Sequence, residues 1–100
     1  MEPLLEVTSK ALGTGVPASL KAYSEQVEVR TVRSPRDVDV KRVRYDEISK
    51  VEMEQGMTFA KLKVKTRGFL RGKSLLVGSL SVEDAEHAKA FLEERIAHES

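Results

Sequence analysis

The segment TFAKLKVKTR, residues Thr58–Arg67, shows a strict two-residue alternation. Because successive side chains of a β-strand point to opposite faces of the sheet, Ala60, Leu62 and Val64 share one face. The opposite face then carries a row of cations, Lys61, Lys63, Lys65 and Arg67. The segment therefore predicts one strand with an apolar core face and a basic outer face.

The composition fits one small domain. A chain of 100 residues, 40% hydrophobic and 33% charged, is long enough for one modest core and too short for two ordinary domains. Without cysteine it has neither disulfides nor thiolate metal sites, and a cytoplasmic location is expected. Its first ten residues lack the pattern of a secretory signal, and no window approaches a membrane span. We expect a soluble protein, or one bound to a membrane from one surface.

The net charge of +1 hides an uneven distribution. Residues 30–73 hold 13 Lys or Arg against 6 Asp or Glu, whereas the rest of the chain holds 4 against 10. The middle of the chain is basic and its ends are acidic, which bears on partners rather than on fold. The alternative explanation is that sheet faces exposed to water are simply rich in charge.

Turn signals recur every eight to twelve residues, which predicts a meander of antiparallel strands rather than strand-helix-strand units. The expected organisation is an N-terminal strand and loop over 1–17, a sheet over 18–80 and a helix over 82–97. After a short apolar start at 4–8, the predicted strands are 19–24, 27–32, 38–45, 51–53, 58–67 and 74–80. In the third of these, Arg42 and Arg44 lie on the polar side.

A helix is predicted where the hydrophobic period changes, at Ser81. Ser81 and Asp84 form an N-cap signature, and acidic residues in the first turns suit the positive end of the helix dipole. Apolar residues recur at three- and four-residue spacing, which defines one stripe that must dock on the sheet. The stripe is Val82, Ala85, Ala88, Leu92 and Ile96, and the expected core includes Leu62, Val64, Ala88, Leu92 and Ile96.

The chain resembles the pleckstrin-homology-like (PH-like) domains of bacterial proteins over about residues 18–97. The similar segments are Arg44–Ile48 (RYDEI) before a strand, Val51–Met53 (VEM) within it, a later lysine-rich strand, and Ser81–Ala85 (SVEDA) at the start of the helix. The resemblance implies an α+β, mainly β fold of about seven antiparallel strands. These would form a bent, partly open barrel capped by one C-terminal helix, with loops at the other end free to bind.

The first hairpin departs from the pattern of phosphoinositide-binding members of this family. Those members carry a basic cluster there, whereas this hairpin is centred on Ser24–Gln26 and Glu28. Specific inositol-phosphate binding is therefore not expected. Other members bind peptides, and many bind no lipid, so the fold alone does not decide the ligand.

The segment Gly68–Ser74 (GFLRGKS) is similar to a phosphate-binding P-loop only at first sight. A P-loop needs four residues between its glycines and then a helix, whereas three intervene here and a strand pattern follows. A hairpin loop is predicted instead, and its tip, Phe69 and Leu70, lies among cations. Such a tip can enter the interface of an anionic membrane. The alternative is that Phe69 or Leu70 folds back over the end of the core.

The remaining candidate sites are a nucleic-acid platform, a metal site and a catalytic centre. Phe59 lies on the same face of the predicted strand as the lysines, which is the arrangement of a single-strand nucleic-acid platform. A solvated outer face explains the lysines as well.

His87 and His98 lie about 16 Å apart along the predicted helix and cannot share a metal. Neither histidine is in a setting that orients it toward a nucleophile, and carboxylates adjacent in sequence point apart. No catalysis and no cofactor are expected.

The sequence thus predicts a non-catalytic PH-like module that binds a protein segment or an anionic membrane surface, in the cytoplasm or peripheral to the membrane. Nucleic-acid binding and a purely structural or oligomerisation role stay open. Self-association is also possible, with the acidic helix of one copy on the basic strand of another. The candidate binding residues are Lys61, Lys63, Lys65, Arg67, Phe69, Leu70, Arg71, Lys73, Arg42 and Arg44.

Overall fold

The computed structural model describes residues 2–9, 17–34, 36–67 and 74–99, the last residue by its backbone alone. Within these residues, strands precede a single helix, α1 (Val82–Glu99). The mainly β fold with a C-terminal helix is therefore confirmed. The strands are β1 (Leu5–Thr8), β2 (Ala18–Ala22), β3 (Gln26–Ser34), β4 (Asp37–Arg44), β5 (Ile48–Gln55), β6 (Ala60–Thr66) and β7 (Ser74–Leu80).

The strands form two antiparallel sheets in which each strand pairs with its neighbour in sequence. The first sheet has the order β1-β2-β3-β4 and the second β5-β6-β7. Between them the chain makes a one-turn 3₁₀ helix, Tyr45–Glu47. Ladder hydrogen bonding stops at this turn, so the two sheets are not closed into one barrel, although β2 and β3 contact β7.

The alternation predicted for β6 is confirmed. Ala60, Leu62 and Val64 are buried, whereas Lys61 and Lys63 between them are exposed. Strand β6 begins at Ala60 rather than Thr58 because the preceding residues form a tight turn, in which the Gly56 backbone N–H donates to the Phe59 carbonyl (2.8 Å). An added Cβ at Gly56 would lie 3.0 Å from that same oxygen, so this turn favours glycine.

A bulge interrupts the pairing of β7 with β6. Ala60 pairs with Leu80 and Leu62 with Val77, so two residues of β7 oppose one residue of β6. Ser79, inside the bulge, has a φ of 56°, a left-handed conformation that is uncommon for residues other than glycine. Bulges bend a strand locally. This one lies beside the turn that joins β5 to β6.

The helix begins as predicted and ends slightly later. The Ser81 hydroxyl accepts the Asp84 backbone N–H (3.1 Å), which confirms the N-cap, and the helix runs to Glu99 instead of ending at 97. Ala88 and Leu92 are buried as expected, but Ile96 is only partly buried, at the edge of the core. The helix contacts β5, β6 and the 3₁₀ turn.

Tyr45 links the helix to the four-stranded sheet. It was predicted at the end of a strand but belongs to the 3₁₀ turn, where its hydroxyl donates to the Tyr23 carbonyl (2.6 Å). The Arg95 guanidinium of α1 lies 5.5 Å from the Tyr45 ring centroid and donates to the Ser24 carbonyl (2.6 Å). These contacts hold the C-terminal half of α1 against the β2–β3 hairpin.

Candidate functional site

The outer face of the three-stranded sheet, which we call the lysine face, collects the basic residues of β6. Strand β6 is central, with β5 on one side and β7 on the other. The register places Glu54 opposite Lys61, and both Glu52 and Leu76 opposite Lys63. The face therefore alternates cations, carboxylates and one apolar group. Its charged members are Lys50, Glu52, Glu54, Lys61, Lys63 and Lys65.

The lysines of this face differ in what they contact. Lys65 Nζ lies 2.9 Å from Glu52 Oε1, and Lys50 Nζ lies 3.5 Å from Glu52 Oε2. Lys61 and Lys63 make no ion pair or side-chain hydrogen bond within the part of the chain that the structure describes. The face is thus less basic than the β6 pattern alone suggests, and two of its cations are free to contact a partner.

Glu52 is held ionised by its neighbours. The hydrogen bond from Lys65 is the main cause of the lowered pKa of Glu52, and the charges of Lys65 and Lys50 act in the same direction against partial desolvation. A carboxyl whose pKa is lower in the folded than in the unfolded chain stabilises the fold above its unfolded pKa. That contribution disappears as the pH falls through the folded pKa.

We therefore expect the Glu52 carboxyl to titrate in NMR below the ordinary range of glutamates. Lys65→Met removes the main cause of the lowered pKa and should move the titration midpoint of Glu52 upward. Lys61→Met, two positions further along the same face, should leave that midpoint nearly unchanged. Equal changes of the Glu52 midpoint in the two variants would show that the contact with Lys65 is not the cause of the lowered pKa.

Apolar side chains border the lysine face. Leu76 is 48% exposed and lies beside Lys63, and Met57, in the turn between β5 and β6, is fully exposed. Phe59 is half-buried and lines a groove of about 310 Å³ with Gly56 and the Ser79 bulge. Isolated exposed apolar residues are ordinary. Here, however, Leu76 lies beside Lys63, and Phe59 lines the groove together with Lys61.

The structure separates the two predicted arginines from the lysines. Arg42 lies on the four-stranded sheet, where its Nε and Nη2 are each 3.0 Å from Oε1 of Glu28, whose side chain is only 8% exposed. Arg44 contacts Asp46 (3.2 Å) just before the 3₁₀ turn. Both guanidinium groups therefore serve contacts within the chain and do not join the lysine face.

Arg67 follows the lysines of β6 in sequence but does not add a free cation to the lysine face. Its backbone N–H donates to the Glu47 carbonyl (2.8 Å) and its Nε donates to the Ile48 carbonyl (3.2 Å). The side chain thus fastens the end of β6 to the start of β5. The remaining predicted site residues, Phe69, Leu70, Arg71 and Lys73, lie outside the described residues, as does the loop that carries them.

Neither histidine contributes to a cluster. His87 and His98 are both exposed on α1, and within the described ranges no three His, Asp or Glu side chains are grouped to hold a metal ion. In those same ranges, no helix has the length and apolarity needed to cross a membrane.

Sequence analysis did not predict four residues of the lysine face, namely Lys50, Glu52, Glu54 and Leu76. Glu52 and Glu54 alternate along β5, so it could be predicted that they share a face. The alignment of that face with the lysines depends on the hairpin register.

Comparison with protein-family models finds no match to this chain. Comparison with curated proteins likewise finds no similar sequence.

Proposed function

We propose that the chain is a cytoplasmic, non-catalytic PH-like module that binds a protein segment on its lysine face. A four-stranded and a three-stranded antiparallel sheet followed by one docked helix support the family assignment. The partly open barrel of that family would correspond to these two sheets, packed together without continuous hydrogen bonding between them.

One observation carries the functional proposal: Lys61 and Lys63 are free of ion pairs within the described residues and stand beside the exposed Leu76. Protein interfaces combine an apolar centre with a polar rim, and Leu76 beside the two lysines offers such a combination. A partner segment suited to this face carries carboxylates around one apolar side chain.

The carboxylates of the face argue against a phosphate-rich ligand. Glu52 and Glu54 lie directly across from the lysines, where they would repel a nucleic-acid backbone or anionic lipid headgroups. The single neighbouring ring, Phe59, is half-buried, whereas single-strand platforms stack bases on exposed aromatic rings. A protein segment with its own acidic groups avoids both conflicts, because it can pair with the lysines and keep clear of the glutamates.

The test compares three probes: a short synthetic peptide with glutamates around one leucine, phosphatidylserine vesicles, and oligothymidylate. The peptide is expected to bind, and to bind less tightly as salt rises. Lys61→Glu with Lys63→Glu should reduce its affinity by at least about tenfold. Arg30→Glu with Arg36→Glu, an equal charge change at exposed positions beyond the lysine face, is the matched control and should have little effect.

Each other outcome has a definite meaning. Tighter binding of vesicles than of the peptide, lost in the lysine double variant, would replace the protein segment by a membrane surface. The same result with oligothymidylate would favour a nucleic acid. Peptide binding that survives the lysine substitutions would place the binding site elsewhere on the molecule.

A further inference from the structure

The outer side of α1 carries charges opposite to those of Lys61 and Lys63 on the lysine face. Glu83, Glu86, Ala90 and Glu94 follow each other at spacings of three and four residues, so they form one stripe, and all are exposed. The three carboxylates make no ion pair or side-chain hydrogen bond with other described residues. The adjacent Glu93, by contrast, is engaged by Lys89 at 3.3 Å.

The two surfaces are of comparable length, about 12 Å between Glu86 and Glu94 and about 7 Å between Lys61 and Lys63, and the long lysine and glutamate side chains span the difference. Ala90 lies midway between Glu86 and Glu94, each about 6 Å away along the helix axis. Lys61 and Lys63 are about 7 Å apart along β6, and Leu76 lies across from Lys63. The alanine has no side chain beyond Cβ, so it leaves room for an apolar group between the two carboxylates.

From this match we propose that the segment bound by the lysine face is the acidic stripe of α1 from a second copy of the chain. The proposal rests on the proposed function, because it names the partner of that same surface. In the complex, Leu76 of one copy packs on Ala90 of the next, and Lys61 and Lys63 contact the carboxylates on either side. Charge complementarity and the apolar contact favour this occupant.

The positions of the two surfaces fix the kind of assembly. The buried side of α1, with Ala88 and Leu92, faces the core and contacts β5 and β6. The lysines point from the opposite side of that sheet, so one copy cannot offer both surfaces to the same partner. Such heterologous contacts propagate head to tail and give open chains or rings of copies, not a two-fold dimer.

Sedimentation velocity of the whole chain tests the assembly. At low salt and protein concentrations on the order of 1 mM, the mean sedimentation coefficient should rise with concentration, and added salt should reverse the rise. Lys61→Glu with Lys63→Glu removes one surface, and Glu86→Lys with Glu94→Lys removes the other. Each double variant alone should be monomeric.

A mixture of the two double variants gives the sharpest result. Each retains one intact surface, so an equimolar mixture should form dimers and nothing larger. A variant carrying all four substitutions exchanges the charges and should assemble again. Glu6→Lys with Asp37→Lys, at exposed positions on the four-stranded sheet, changes the charge equally and should assemble like the unaltered chain.

The inference is overturned if the unaltered chain stays monomeric at low salt, or if the mixed variants do not pair. A monomeric chain that still binds the acidic peptide through Lys61 and Lys63 would refute only the second copy as partner and leave the proposed function standing. A chain that neither assembles nor binds the peptide would remove both.

Discussion

Leu92→Ala is expected to lower the free energy of unfolding by about 2 to 5 kcal/mol. Leu92 is fully buried, at 0% exposure, on the side of α1 that faces the core. Removing its side chain leaves a cavity between helix and sheet. Small proteins are stable by only about 5 to 15 kcal/mol in total, so the loss is a large share. Thermal unfolding should show a midpoint lower by about 10 °C or more.

Leu76→Ala is the matched control, because it makes the same chemical change at an exposed leucine on the lysine face. Its expected effect on stability lies within about 0.5 kcal/mol. Unfolding curves that coincide for Leu92→Ala and the unaltered chain would contradict the docking of α1 on the sheets.

The second large effect is expected at Arg42, which sequence reasoning assigned to binding. Arg42→Ala leaves the buried Glu28 side chain, 8% exposed, without its guanidinium partner. An uncompensated buried charge typically costs about 3 to 5 kcal/mol, and the lower end applies here because Arg42 itself is largely exposed. Urea unfolding at neutral pH measures the loss.

Two further variants separate this contact from an ordinary surface pair. Adding Glu28→Gln to Arg42→Ala removes the stranded charge and should recover much of the lost stability. Arg44→Ala breaks an exposed pair with Asp46 and should change stability by no more than about 1 kcal/mol. Equal losses from Arg42→Ala and Arg44→Ala would mean that Glu28 does not depend on its partner.

The structural features that could be predicted depend on residues that are close together in the sequence. The alternation of β6 and the three- and four-residue spacing of α1 report which side of an element is buried, and both are confirmed. The Ser81 cap was equally readable, because its donor lies three residues away. Local patterns predicted the ends of the strands less accurately. Tyr45 alternates like a strand residue, yet it belongs to the turn between the sheets.

The composition of the candidate site was not predictable to the same degree, because it depends on distant pairings. Glu52 enters the lysine face through the β5–β6 register, and Arg42 meets Glu28 across 14 residues of sequence. Arg95 reaches the Ser24 carbonyl across 71 residues. A lysine-rich strand therefore predicts a strongly basic surface. The charge of that surface is lower where carboxylates from other strands pair with the lysines.

Mapping of the backbone amide shifts during titration with the glutamate–leucine peptide tests the central claim most directly. If the lysine face binds a protein segment, the largest shifts belong to Lys61, Lys63 and Leu76, and they disappear in the Lys61→Glu, Lys63→Glu variant. Shifts centred on β3 and β4 around Arg42, with β6 unaffected, would contradict it.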